Sequence, residues 1–184
     1  MNNIANIQID SQRLLLVPIS HIYRESVFQE FTEEITDYTH VVPDPDIAKT
    51  DVFIQQSIQG LKDGTNLELV ILLKETKEFI GCIGLHYLNT NTPELGIWTK
   101  KSAHGNHYGR EAISALKAWA ENNLDYEYLR YPVDKRNIPS QKIPESLGGI
   151  IVGEYDKTNL GGKTLHIVEY RLYKPIKVIS DSKS

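Results

Sequence analysis

Cysteine is almost missing from these 184 residues: Cys82 stands alone, which excludes an internal disulfide and a cysteine-rich zinc site and fits a reducing compartment. No metal is expected. An apolar run long enough to span a bilayer is also lacking, and Met1-Asn2-Asn3-Ile4-Ala5-Asn6 has neither the basic nor the apolar region of a secretory signal, so the expected location is cytoplasmic. Positive charge is in deficit, with 20 Lys and Arg against 24 Asp and Glu, a formal charge of −4. Such a chain has no broad attraction for phosphate backbones or anionic lipid, and neither nucleic acid nor membrane is expected as a partner. Repeats, linkers and low-complexity blocks are absent too. The 40% apolar and 24% charged residues are those of an ordinary globular chain of one-core length, so 1–184 reads as a single domain with a frayed tail over 176–184.

What is present is an ordered series of short elements. Arg13 to Ile19 reads as an apolar strand ended by Pro18, and Ser20 offers an N-cap to a helix from His21 to Phe31 whose apolar face holds Ile22, Val27 and Phe31. A turn at Pro43 to Asp46 precedes a second helix to about Lys62, with Ile47, Phe53, Ile54, Ile58 and Leu61 on one stripe. Three strands follow, Leu67 to Lys74, Glu78 to Leu88 and Glu94 to Thr99, joined by turns as an antiparallel meander. After Thr99 a short polar loop runs into the alanine-rich helix Glu111 to Ala120; then come a strand at Tyr128 to Val133, a short helix at Asn137 to Ser146, and strands at Ile150 to Tyr155 and Thr164 to Leu172. The fold class is α/β (α+β), with a mixed sheet.

One loop carries chemistry. Ala103-His104-Gly105-Asn106-His107-Tyr108-Gly109-Arg110 lies between a strand and a helix. A helix start leaves about four amides unpaired and carries partial positive charge, so it can hold a pyrophosphate with few lysines. Gly105 and Gly109 let backbone approach those oxygens, and Arg110 adds a charged contact; the same glycines also fit a tight, closely packed turn. Neither the Gly-Lys-Ser/Thr ending of nucleotide triphosphatases nor the dinucleotide Gly-x-Gly-x-x-Gly is present.

In its surroundings this loop resembles that of the GNAT family of N-acetyltransferases, particularly the RimJ/RimL-like branch of ribosomal-protein N-terminal acetylases. Gly96-Ile97-Trp98 leading to His104-Gly105-Asn106-His107-Tyr108-Gly109 matches the family's strand and its Gln/Arg-x-x-Gly-x-Gly/Ala loop, with His104 in place of Gln or Arg and His107 in place of the middle glycine. Asn137-Ile138-Pro139-Ser140 and Leu147-Gly148 match the next landmarks, and Ser11 to Leu16 resembles the branch's opening strand. The likeness covers nearly the whole chain. It implies a mixed, mostly antiparallel central sheet of about six to seven strands flanked by about four helices, and acetyl-CoA as acyl donor to an amine acceptor.

By that resemblance the backbone N–H of Ile97 polarises the thioester, Trp98 and Thr99 line the pantetheine, residues His104 to Arg110 hold the pyrophosphate, and Asn137 contacts the coenzyme. Trp98 equally suits the core, and Asn137 an N-cap. The family's helix tyrosine, which protonates the departing thiolate, has no counterpart in Ile143-Pro144-Glu145-Ser146, leaving Ser140 as the nearest hydroxyl. Glu94, on the face shared with Gly96 and Trp98, is the first choice for a base acting through water, although a solvated strand end is an equal reading. His86 on the neighbouring strand has a suitable ordinary pKa and also reads as a structural histidine. His107 and the missing tyrosine keep open a non-catalytic acyl-CoA-binding or sensory module. The acid-rich Glu30 to Asp37 stretch attracts cations or simply solvates a helix face, and a homodimer is compatible with the resemblance.

Overall fold

The computed structural model describes residues 7–175; the first six residues and the tail expected to fray, 176–184, lie outside the described part. Strands β1 (Ile9–Asp10), β2 (Leu14–Pro18), β3 (Leu67–Leu73), β4 (Phe79–His86) and β5 (Glu94–Thr99) form the antiparallel meander that their alternating apolar residues call for. β6 (Tyr128–Asp134) joins β5 in parallel, β8 (Thr164–Tyr173) runs antiparallel to β6, and β7 (Ile150–Thr158) closes the far edge, giving the order β1-β2-β3-β4-β5-β6-β8-β7. Eight strands thus stand against the six or seven expected. The extra one is β1, two residues long, folded back by Ser11, whose N–H donates to Leu14 O at 3.0 Å and whose Oγ accepts Leu14 N–H at 3.0 Å. Two residues carry no periodicity to detect.

Among the described residues five α-helices flank the sheet: α1 (Arg24–Glu30), α2 (Glu33–Thr36), α3 (Ile47–Asp63), α4 (Tyr108–Asn123) and α5 (Ile138–Ser146). The helix expected from His21 to Phe31 is broken. Residues His21–Tyr23 form a 3-10 turn, Ser20 makes no side-chain cap, and Ile22 is 81% exposed instead of sharing the apolar face, because three residues per turn rotate it out of phase with Val27. Part of the acid-rich stretch forms the short α2, whose Glu33 and Glu34 sit in its first turn, where the helix dipole favours negative charge. α3 is capped by the Asp46 carboxylate accepting Ala48 N–H at 2.9 Å and ends at Gly64 in the left-handed conformation, φ 67°. α5 runs through Pro144, which falls in its last turn.

Two apolar layers sandwich the sheet. On one face Leu14, Leu16, Leu69, Ile71 and Ile83 pack against Ala112, Ile113 and Leu116 of α4. On the other, Leu15, Val70, Leu72 and Cys82 meet Val27 of α1 and Ile54 of α3. Each buried Leu or Ile contributes roughly 1.5–3 kcal/mol, so both layers fix the central strands firmly. Among the described residues the β5–β6 seam is the loose one: the two strands pair at Glu94 and Arg130 and part beyond them.

Candidate functional site

A cavity of about 690 Å³ lies along that seam, lined by residues from both faces of the sheet. The hydrogen-bond phase of β5 aims its backbone into the gap. Lys100 N–H donates to Ile80 O at 2.8 Å, so by antiparallel alternation Trp98, Gly96 and Glu94 bond to β4. Leu95, Ile97 and Thr99 then turn their N–H and C=O groups toward the parted β6. The Ile97 amide faces the gap, where the sequence placed an oxyanion donor.

β5 leads through a 3-10 turn, Lys101–Ala103, to the start of α4. His104 folds back, its Nε2 3.1 Å from Thr99 O, and Asn106 Nδ2 donates to Ala103 O (3.2 Å) and His104 O (3.3 Å). Both side chains shape the loop. The first amide engaged by the helix is that of Glu111, bonded to His107 O at 3.1 Å, so among the described residues the amides of Tyr108, Gly109 and Arg110 have no protein partner. His107 takes the left-handed conformation, φ 62°, that its glycine-like position requires, and Gly105 does likewise at φ 81°. The loop is braced from the sheet by Glu111, which accepts from Ser11 Oγ, Arg13 N and Arg13 Nε, each at 2.7 Å, while Arg13 Nη2 reaches Asn106 O at 3.1 Å. Arg13 also stacks over the Tyr108 ring at 4.6 Å. Arg110 is exposed beside this brace.

Across the gap, Ser140 Oγ lies 2.9 Å from Tyr131 Oη, and both line the cavity. Tyr131 is 3% exposed, and burial pushes its phenol up to about 12. Sequence reasoning missed it, looking for a tyrosine on α5 when β6 supplies one. The alternation of Leu129, Tyr131 and Val133, all buried, is the signal that points its side chain at α5. Asn137 Oδ1 accepts Ser140 N–H at 3.2 Å, the N-cap arrangement, and also lines the cavity.

The face under α1 and α3 holds the acidic candidates. Glu94 is paired with Arg130 at 3.2 Å, and Arg130 in turn holds Glu169 at 2.7 Å. Burial raises the Glu94 carboxyl while Arg130 opposes it. Trp98 lies on this same face, packed with tilted rings 5.0 Å from Phe31 and 5.8 Å from Phe79, so its ring faces away from the α4 side where the loop lies. His86 is here, and so is Glu68, which the sequence reading passed over. No helix among the described residues is long and apolar enough to cross a membrane.

Residues 13–150 match the model of the acetyltransferase (GNAT) domain family. An uncharacterized N-acetyltransferase of Bacillus licheniformis is 25% identical over 146 residues, covering 77% of this chain and 81% of its own length. An uncharacterized protein of Methanocaldococcus jannaschii is 31% identical over 109 residues, 58% of this chain; the match spans 21% of that relative's length. In fold the chain is similar to RimL, a ribosomal alpha-N-protein acetyltransferase in complex with coenzyme A, with a TM-score of 0.79 at 14% identity over 91% of this chain and 98% of that one.

Proposed function

Since the chain belongs to the GNAT acetyltransferase family, we propose that it moves an acetyl group from acetyl-CoA to a primary amine by direct attack in the β5–β6 cleft. One observation carries this reading: the strand whose Ile97 amide faces the open seam leads, through a 3-10 turn and a short loop, to the helix start whose first amides lack partners among the described residues. The two features are what a thioester and a pyrophosphate on one ligand need.

The amides of Tyr108, Gly109 and Arg110 bind the pyrophosphate, with the Arg13–Glu111 brace keeping the loop in place. Pantetheine follows the seam along Ile97 and Thr99 toward Asn137. As the amine attacks, negative charge grows on the thioester oxygen, and the Ile97 N–H meets it; one such donor typically contributes about a hundredfold or more in rate. The C–S bond then breaks, and the Tyr131–Ser140 hydroxyl pair delivers a proton to the departing sulfur. The acceptor, an N-terminus or a small-molecule amine, approaches from the α1 and α3 side.

Two features speak against a non-catalytic module: His107 reaches the left-handed conformation, and Tyr131 provides a phenol beside Ser140. Calorimetry with acetyl-CoA and a free-thiol release assay across an amine panel test the proposal. Binding without turnover on any amine would restore the module. Tyr131→Phe is expected to lower kcat about tenfold with little change in acetyl-CoA affinity, as for loss of a general acid whose leaving group is only moderately basic. An equal loss in affinity and no loss in kcat would remove Tyr131 from the chemistry.

A further inference from the structure

The face under α1 and α3 contains a buried carboxyl that no step above uses. Glu68, in β3, is 8% exposed, and among the described residues its carboxylate receives no hydrogen bond; His86 Nε2 stands 3.8 Å from its Oε2. Two glycines make its place. A Cβ on Gly84 would overlap Glu68 Oε2 and stand 3.1 Å from Leu67 O, and a Cβ on Gly96 would stand 3.1 Å from His86 Nε2. The register puts Glu68 across from Gly84, Gly84 across from Gly96, and His86 across from Glu94. The carboxyl and the imidazole therefore lie on the sheet where side chains would otherwise fill the space, next to the residue whose amide faces the seam, and both line the cavity.

Glu94 is placed differently. Arg130 holds it and is itself held by Glu169, so its charge is already answered. Phe28, Phe31, Phe53 and Trp98 give the same cavity an aromatic stretch of wall, beside the polar residues Tyr38, His40, Asp44 and Lys49.

We infer that the Glu68–His86 pair, seated over Gly84 and Gly96, receives the ammonium of the acceptor and takes its proton, and that the acceptor carries that amine on an aromatic or branched apolar stem. The inference rests on the acetyl-transfer reading and adds the acid–base pair and the acceptor class. The proton leaves R–NH3+ for His86 Nε2, and the imidazolium is held by the Glu68 carboxylate. The freed nitrogen lone pair forms the C–N bond and the C–S bond breaks toward sulfur, which takes a proton from the Tyr131–Ser140 pair; the second proton, shed from nitrogen as the amide forms, recharges that pair through solvent, and the Glu68–His86 pair returns its own proton to solvent before the next turnover.

Burial pushes the Glu68 carboxyl up to about 8 and pushes the His86 imidazole down. The receptive state, carboxylate with neutral imidazole, therefore fills as pH rises through about 8, and activity rises with it. Cys82, on β4, faces Glu68 and is itself pushed up by burial. From β5 and β6 the facing charges are Glu94 and Arg130, and from β7 Tyr155 and Lys157. His40, Asp44 and Lys49 face the cavity from the α2 to α3 side.

The test uses the full chain with acetyl-CoA and three probe amines: phenethylamine, spermidine and a peptide with N-terminal serine. Glu68→Gln is expected to lower kcat/KM for phenethylamine by about a hundredfold and remove the rising limb near pH 8. O-Benzylhydroxylamine, largely unprotonated at neutral pH, needs no proton removed before attack, so the Glu68→Gln deficit should shrink to a few fold with it. A purely structural defect would persist with both acceptors and overturn the inference, as would a wild-type pH profile in Glu68→Gln or a preference for spermidine. Calorimetry of phenethylamine into the coenzyme A complex reads the same site without turnover; affinity should fall about tenfold in Glu68→Gln, and unchanged affinity overturns the inference. Absence of thiol release by the wild-type protein with every amine instead sinks the transfer reading, leaving calorimetry to decide the site.

Discussion

Gly109→Asp is expected to weaken acetyl-CoA binding by about a hundredfold while leaving the fold as stable as before, or slightly more stable. A Cβ at Gly109 would lie 3.4 Å from Ile143 Cδ1 and 3.7 Å from Ile97 Cδ1, so the side chain enters without displacing backbone. Replacing glycine by aspartate in a helix gains only about a few tenths of a kcal/mol, since aspartate is itself a poor helix former, and a carboxylate in the first turn gains about 0.3–1 kcal/mol from the helix dipole. The same carboxylate stands where the pyrophosphate is proposed to sit. Two unit charges about 4 Å apart repel by roughly 4 kcal/mol at an effective dielectric of 20, and solvent at the open loop reduces this to about 3 kcal/mol, some hundredfold in affinity. Gly109→Ala adds volume without charge and should bind nearly as well as wild type. Calorimetry and thermal unfolding of the two variants check the pair of effects; a stable Gly109→Asp protein with unchanged affinity would place the pyrophosphate elsewhere.

Local patterning made much of this legible. The apolar runs at 67–74 and 78–88 demanded strands, the alanine-rich stretch after Arg110 demanded a helix, and the glycine-bearing loop between them fell where the unpartnered amides are. Long-range packing hid the rest. Tyr131 looks like one apolar position in a strand until α5 brings Ser140 to its hydroxyl. Glu68, flanked by Leu67 and Leu69, reads as the solvent side of an alternating strand. Its phase is shared by Val70 and Leu72, however, which showed that both faces of β3 are buried and that Glu68 had to be buried with them. Gly84 and Gly96 fall in the same phase, and only the register between strands turns three separate residues into one opening. Ile22 misled for the opposite reason: a short 3-10 turn keeps apolar residues but not the helical angle between them.

Gly81→Ala is expected to be the most damaging single-methyl change to stability, by about 3 kcal/mol, at the upper end for overpacking a core. A Cβ there would meet the Trp98 carbonyl oxygen head-on and lie 2.8 Å from Thr99 Cα. Both obstacles are backbone, so no rotamer change relieves the contact, and β5 must shift away from β4. For a chain of this size each kcal/mol moves Tm by about 2–4 °C, which predicts a fall of roughly 6–12 °C. The shift also has a direction that matters for chemistry. It displaces the strand bearing the Ile97 amide, whereas the pyrophosphate loop is anchored separately through Glu111 to Ser11 and Arg13. Since a displacement of about 1 Å at a reacting centre can lower the rate about a hundredfold, kcat should fall far more than acetyl-CoA affinity. Gly153→Ala, in the edge strand β7 with nothing within 4 Å of its added Cβ, controls for loss of glycine and should keep the wild-type Tm. A Gly81→Ala protein with wild-type Tm would refute the close β4–β5 approach, and one with affinity and kcat falling together would mean that the loop and β5 move as a single unit.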